Sequence, residues 1–363
     1  MTISRNELAE ALSSSGLMSV AELEEFAAGL PPERAVEDGE QMARELVREC
    51  KLTEYQLDVI CRGSESPLAI ADYMILDKIG EGGMGIVFKA KRPDQRHLVA
   101  LKVLPPALSD DPAAVRRFQR EVDVAATLSH ENIVAALDSG TFNDELYFVM
   151  EFVDGGNLGS VVKQRGRLAL LTAFNHIWHA AHGLAYAHAQ GVVHRDIKPS
   201  NLLVNRDGVA KILDMGLVRL RTQSDSGDSL TVTDLTSSGT VLGTADYMAP
   251  EQALNAKLAD HRSDIYSLGC TMHYVFTGET MYGGETVMEK LVAHREQPVP
   301  SLCQRRDDLP TSVDRIFQRM VAKDPDDRYQ SVDSLVEEMA ACRDEFGNMW
   351  MIRRFIDEQK GRR

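Results

Sequence analysis

The stretch HRDIKPSN, residues 194–201, constrains this chain more than any other. It sets an acid (Asp196), a cation two residues on (Lys198) and an amide (Asn201) in one tight loop. Asp196 can accept the proton of an attacking hydroxyl and orient it. Lys198 can balance charge on a moving phosphoryl group. Asn201 can offer an oxygen to a hard cation such as Mg²⁺, which prefers oxygen ligands. Asp214, 13 residues later in KILDMGLVRL, adds a carboxylate to the same cation. No structural turn requires this combination.

A second cluster precedes the loop. Gly80-Glu81-Gly82-Gly83-Met84-Gly85 has the spacing G-x-G-x-x-G. In dinucleotide-binding folds that spacing opens a helix whose N-terminus faces a pyrophosphate. Here the alternating stretch IVFKA follows, so the glycines are expected in a hairpin, where backbone amides approach phosphates with no side chain in the way. Lys102, in VALKVL, comes 17 residues after Gly85 on the third expected strand of the same sheet. Its ammonium can neutralise phosphate oxygens, and Glu121 in RFQREV, on the following helix, is the natural acid to hold it.

In this order and spacing the motifs resemble those of the eukaryotic-type (Hanks-type) Ser/Thr protein kinases, in particular their bacterial members. The resemblance covers residues 72–345 and implies an α+β, bilobal kinase fold. Its N-lobe (72–152) would hold a five-stranded sheet and helix C, and its C-lobe (153–345) would be mainly helical. It further implies that Val87 and Ala100 contact adenine from above and Leu203 from below. Met150 takes the gatekeeper place, and Glu151 to Val153 form the hinge. Lys102 would hold the α- and β-phosphates and pair with Glu121. Asp196 would be the catalytic base beside Lys198, with Asn201 and Asp214 as Mg²⁺ ligands. MAPE (248–251) resembles the end of an activation segment, with Arg328 as partner of Glu251. Asp264 suits the buried acid that holds the catalytic loop, and Tyr266 stands where Trp is commonest. Thr244 resembles the hydroxyl that senses substrate. The pair Arg195-Asp196 marks kinases whose activation segment is ordered by phosphorylation. In this chain the hydroxyls closest upstream of VLGT are Thr236, Ser238 and Thr240, the expected sites of autophosphorylation.

Outside that span the chain reads differently. Residues 1–63 show helical periodicity with a repeat at an offset of 34, which sets Leu8 on Met42, Leu12 on Leu46, Leu23 on Leu57 and Phe26 on Ile60. SVAE and TEYQ both have capping-box form. Two helix–turn–helix copies are expected there, followed by a Gly/Ser/Pro-containing linker at 64–71 and, after the kinase region, an amphipathic basic tail at 346–363. The net charge of −15 argues against a nucleic-acid partner. No apolar run reaches the length needed to span a bilayer, the opening MTISRNELAE lacks the basic-then-apolar layout expected of a signal peptide, and five scattered cysteines suit free thiols in a reducing cytoplasm.

Three further features need weighing. Met215 replaces the commoner Phe after Asp214, and a long methionine would extend toward the space left by the small Ala125. Asn157 stands where kinases that favour basic substrates carry an acid. His176, His179 and His182 recur every three residues, which drifts around a helix and suits a surface or half-buried stripe better than a metal site. The expectation is therefore an active Ser/Thr kinase using ATP and Mg²⁺, with Mn²⁺ as a substitute ion. Its expected partners are protein substrates bearing Ser or Thr, a second copy for phosphorylation in trans, and a protein bound by the helical unit. A pseudokinase scaffold is the alternative.

Overall fold

The computed structural model describes residues 3–34, 36, 38–63, 66–82, 85–95, 97–214, 243–255 and 259–343. Gly83, Met84, Met215, Thr236, Ser238, Thr240 and the 346–363 tail lie outside the described residues. The chain divides into two units, residues 1–116 with 136–152, and 117–135 with 153–363.

The first unit opens with four helices: α1 (Arg5–Ser14), α2 (Val20–Gly29), α3 (Gly39–Arg48) and α4 (Glu54–Arg62). Helices α3 and α4 start 34 residues after α1 and α2, the offset of the sequence repeat. Each start is fixed by a side-chain cap. Ser4, Ser19 and Thr53 make reciprocal capping boxes with Glu7, Glu22 and Gln56, and Asp38 accepts from the Gln41 amide. The repeated apolar positions converge on one core, in which Leu8, Leu12, Leu23, Met42, Ala43, Leu46, Leu52 and Ile60 are buried. Burying each large side chain stabilises this core by roughly 1.5–3 kcal/mol.

The same unit contains an antiparallel sheet in the order β1-β2-β3-β4-β6-β5. Its strands are β1 (Ala69–Ile70), β2 (Tyr73–Gly82), β3 (Gly85–Lys91), β4 (Leu98–Val103), β5 (Ala136–Phe142) and β6 (Glu145–Glu151). The five strands expected within 72–152 form as β2 to β6, and a sixth joins their sheet. The additional β1 comes from the stretch read as linker: Ala71 takes a left-handed conformation (φ 48°), which folds Ala69 and Ile70 back against Met74 and Tyr73. Strand alternation sorts the side chains. Ile75, Phe88, Ala90, Val99, Leu101 and Val149 form an apolar layer on one face, and Tyr55 of α4 packs against it. Short α5 (Pro106–Ser109) follows β4, and α6 (Pro112–Ala126) runs from the first unit into the second.

The second unit is mainly helical. A small sheet, β7 (Gly155–Asn157), β8 (Leu202–Asn205) and β9 (Ala210–Ile212), lies beside α7 (Leu158–Arg165). The remaining named helices are α8 (Leu170–Ala189), α9 (Pro250–Leu254), α10 (His261–Thr277), α11 (Val287–Glu296), α12 (Leu302–Arg305) and α13 (Thr311–Met320). Residues 332–343 are also helical. Helix α10 is buried on nearly all sides, which makes it the internal post of this unit. Asn157 caps α7, its side chain accepting from the Ser160 amide at 2.8 Å. The histidine stripe of α8 is more buried than expected: His176 is only 5% exposed, and burial lowers its pKa to about 4. His179 Nδ1 accepts from the Ala210 amide, and His182 meets the Trp178 ring edge-on. All five cysteines are free thiols. Among the described residues, no helix is long and apolar enough to cross a membrane.

Candidate active site

In the first unit, strand register brings the expected nucleotide residues to one face of the sheet. Val87 pairs with Lys102 across β3 and β4, and Ala100 pairs with Met150 across β4 and β6. All four lie on the face opposite Phe88 and Leu101. Gly80, Glu81, Gly82 and Gly85 sit at the closed end of the β2–β3 hairpin, as the alternating stretch after the glycines implied. Gly85 has φ 107°, and a Cβ there would come 1.9 Å from the Val103 carbonyl oxygen. Lys102 is 5% exposed. Glu151 ends β6, and Val153 opens the second unit, which also holds Glu121 on α6.

In the second unit the loop 194–201 is built around Asp264, which is fully buried on α10. Its carboxylate accepts from the Arg195 amide at 2.6 Å, the His194 amide at 2.8 Å and His188 Nε2 at 2.8 Å. Three donors on one buried carboxylate offset its desolvation and fix the backbone on both sides of Arg195. That backbone is strained, with φ 67° at Arg195, a conformation that persists only where surroundings impose it. His194 supplies the next link. Its Nδ1 accepts from the Asp196 amide at 3.1 Å, so Nε2 carries the proton and donates to the Leu213 carbonyl at 2.9 Å. Leu213 in turn donates its amide to the Asn201 carbonyl at 2.9 Å. The loop and the residue before Asp214 are thus tied twice. Asp214 also has positive φ, at 61°.

The side chains of the loop converge. Lys198 Nζ is 2.8 Å from Asp196 Oδ2 and donates to Thr244 Oγ1 at 2.9 Å. Asn201 Nδ2 donates to the Asp196 carbonyl at 2.8 Å and to Asp196 Oδ2 at 3.0 Å. Both partners are acceptors, which fixes the orientation of the amide and turns Asn201 Oδ1 away from Asp196. An amide oxygen so placed, together with the Asp214 carboxylate, is an all-oxygen donor set suited to a hard divalent cation. Leu203 lies in β8, paired with Asn157 and Lys211.

Arg328 and Glu251 form a bidentate pair at 2.7 and 2.8 Å, and Ser263 donates to the same carboxylate. Burial pushes the Glu251 carboxyl up, but the Arg328 guanidinium outweighs it and holds the pKa below the usual value. Tyr266 lies under that guanidinium, 4.7 Å from ring centre to Cζ, and its hydroxyl is 2.8 Å from His294 Nδ1.

Three contributors escaped the sequence reading. His188 shares Asp264 with the loop. Gln252 donates to the Arg195 carbonyl at 2.8 Å, joining α9 to the strained residue. Lys290 on α11 pairs with Asp246 at 2.6 Å, close after Thr244. Each is an ordinary polar residue distant in sequence from its partner, so no spacing signalled it; Gln252, next to Glu251, was the most accessible.

A family model of the protein kinase domain matches residues 73–339. Serine/threonine-protein kinase PknB of Mycolicibacterium smegmatis is 38% identical over 272 residues, which cover 73% of this chain and 42% of that protein. Serine/threonine-protein kinase PknJ of Mycobacterium tuberculosis is 39% identical over 278 residues, 75% of this chain and 45% of that protein. The chain therefore spans less than half the length of these curated relatives. The crystal structure of the Mycobacterium tuberculosis PknI kinase domain superposes with a TM-score of 0.58 at 29% identity, covering 75% of this chain and 97% of that one. With the loop geometry above, these similarities establish that the chain belongs to the protein kinase family, alongside bacterial Ser/Thr kinases.

Proposed function

We infer that this chain is an ATP-dependent Ser/Thr protein kinase. The observation that carries the reading is the convergence of Asp196, Lys198, Asn201 and Thr244 on a loop held by a buried carboxylate. A substrate hydroxyl presented to Asp196 loses its proton to that carboxylate. Its oxygen bonds to the γ-phosphorus as the bond from phosphorus to the β–γ bridging oxygen breaks, and ADP leaves with the electron pair. Lys198 faces the same carboxylate and balances charge on the transferring group. Thr244 receives a hydrogen bond from Lys198 and so ties the segment that seats a substrate to the residues that react. Asn201 and Asp214 would hold Mg²⁺, with Mn²⁺ as a substitute; when bound, the ion would neutralise phosphate charge. Gly80, Glu81, Gly82 and Gly85 cover the phosphates, Lys102 binds the α- and β-phosphates and pairs with Glu121, and Val87, Ala100, Met150, Glu151, Val153 and Leu203 surround adenine. The protein works in the cytoplasm and phosphorylates itself in trans at Thr236, Ser238 or Thr240.

The test is incorporation of labelled phosphate from ATP with site mapping, comparing wild type with Asp196→Asn. Loss of the base is expected to lower kcat by roughly 10²–10⁴-fold. Equal incorporation in both proteins, or none in either, would remove the kinase reading. Phosphate found only outside 236–240 would remove the assignment of the modified segment.

A further inference from the structure

The two copies of the helical repeat differ at the position that closes the capping box of their second helix. The first has Glu22, whose carboxylate accepts from the Ser19 amide at 2.8 Å on the protein surface. The second has Gln56, whose Oε1 accepts from the Thr53 amide at 2.9 Å in the same way. Glutamate and glutamine serve a capping box equally well. Only glutamine also brings a donor, and here the donor is used. Gln56 is 1% exposed, and its Nε2 donates to the Ile75 carbonyl at 2.7 Å.

That carbonyl stands on the side of β2 where β1 gives out. The Ile75 amide donates to the Leu68 carbonyl at 2.9 Å, and the amide and carbonyl of one residue in an antiparallel strand face the same neighbour. With β1 only two residues long, the Ile75 oxygen lacks a strand partner, and Gln56 takes that place. The next residues of β2 slip register against β3, between Ile75 and Asp77 and again between Lys78 and Gly80. Such bulges weaken the ladder and re-aim the strand beyond them, and beyond these two lies the hairpin of Gly80 to Gly85. The neighbouring residue of α4 grips the other strand: the Tyr55 ring lies 6.3 Å from that of Phe88 on β3, and its hydroxyl donates to the Pro67 carbonyl at 3.0 Å.

We propose that the second copy of the helical repeat is a positioning element for the Gly-rich hairpin, acting through Gln56 on β2 and Tyr55 on β3. The proposal rests on the reading that this hairpin covers the phosphates of ATP. Nucleotide affinity in this kinase then depends on a module outside the kinase domain, and anything that lifts α4 from the sheet weakens it.

The test uses the full chain with Gln56→Glu, which keeps the capping acceptor but sets a carboxylate without a donor against the Ile75 oxygen. Amide hydrogen exchange is read without nucleotide, and phosphate transfer to casein is read against ATP concentration. Losing a buried hydrogen bond predicts exchange in β2 and β3 faster by about tenfold and KM for ATP raised by about fivefold, with kcat within about twofold of wild type. The mirror change in the first copy, Glu22→Gln, leaves all three as they were. Unchanged exchange and unchanged KM would overturn the proposal, as would a lower melting temperature with KM for ATP intact, the signature of a purely structural joint. Should Gln56→Glu fail to fold, Tyr55→Leu is read by the same criteria. A wild type without ATP-dependent transfer would sink the kinase reading alone, leaving hairpin exchange to decide the coupling.

Discussion

Arg328 and Glu251, 77 positions apart in sequence, meet in a fork-to-fork ion pair whose guanidinium is wholly buried. The remaining guanidinium donors reach the carbonyls of Ala322, Lys323 and Arg262, so the charge is compensated on every side. Removing one partner strands the other. Arg328→Met is expected to cost about 3–5 kcal/mol, measured by denaturant unfolding. Arg328→Lys is expected to recover little of this, because an ammonium cannot satisfy both oxygens and three carbonyls at once.

The glycines of the hairpin divide into two kinds. A Cβ at Gly85 would strike the Val103 carbonyl, and the residue sits at φ 107°, so Gly85→Ala is expected to destabilise the first unit by about 1–3 kcal/mol. A Cβ at Gly82 meets nothing within 4 Å. Gly82→Ala is therefore expected to leave the melting temperature within a few degrees, at about 1 kcal/mol or less, yet to raise KM for ATP. Unfolding and ATP titration of both variants separate the two cases. A Gly82→Ala protein with unaltered KM would speak against phosphate binding at this hairpin.

These contrasts show what the sequence could and could not disclose. The convergence of the loop 194–201 was legible because its polar residues lie within eight consecutive positions, and the strands because apolar alternation survives in β2, β3 and β4. The hub of the site was only half legible. Asp264 could be matched to a motif, but its third donor, His188, is 76 positions away and looks like any polar residue near a helix end. Strand β1 was hidden because two apolar residues after a proline carry no periodicity, and the turn that folds them back uses an alanine. The helical repeat announced its own core but not its docking face. The difference between Glu22 and Gln56 acquires meaning only once Ile75 is seen beside the latter.

Acid sensitivity is expected to arise in the second unit from buried neutral histidines. Burial lowers the pKa of His294 from 6.5 to about 4, helped by the nearby Lys323 ammonium, and burial likewise lowers His176 to about 4. In the unfolded chain both bind protons near pH 6.5, whereas the folded state resists protonation until about pH 4. The unfolded state therefore holds more protons in this window, so stability is full above pH 6.5 and falls as pH drops toward 4. His294→Gln keeps an acceptor for Tyr266 and removes one titrating ring. Melting temperature measured across this window should decline less steeply in the variant than in wild type.

The hydrogen bond from Lys198 to Thr244 ties the loop 194–201 to the segment that precedes α9, which the proposed kinase reading makes the reacting loop and the seat of the substrate. Lys198 has two partners, Asp196 and Thr244, and the hydroxyl is the one that a substrate-bearing segment can bring or withdraw. Thr244→Val keeps the shape and deletes the acceptor, which leaves the ammonium free to turn toward Asp196 alone and to hold the base away from an incoming hydroxyl. The expected result is a kcat lower by about tenfold or more, about 1.4 kcal/mol in the barrier, with KM for ATP unchanged. Thr244→Ser restores the oxygen and should recover most of the rate. If the valine variant keeps the full rate while the serine variant loses it, the methyl packing of Thr244 rather than its hydroxyl supports the loop.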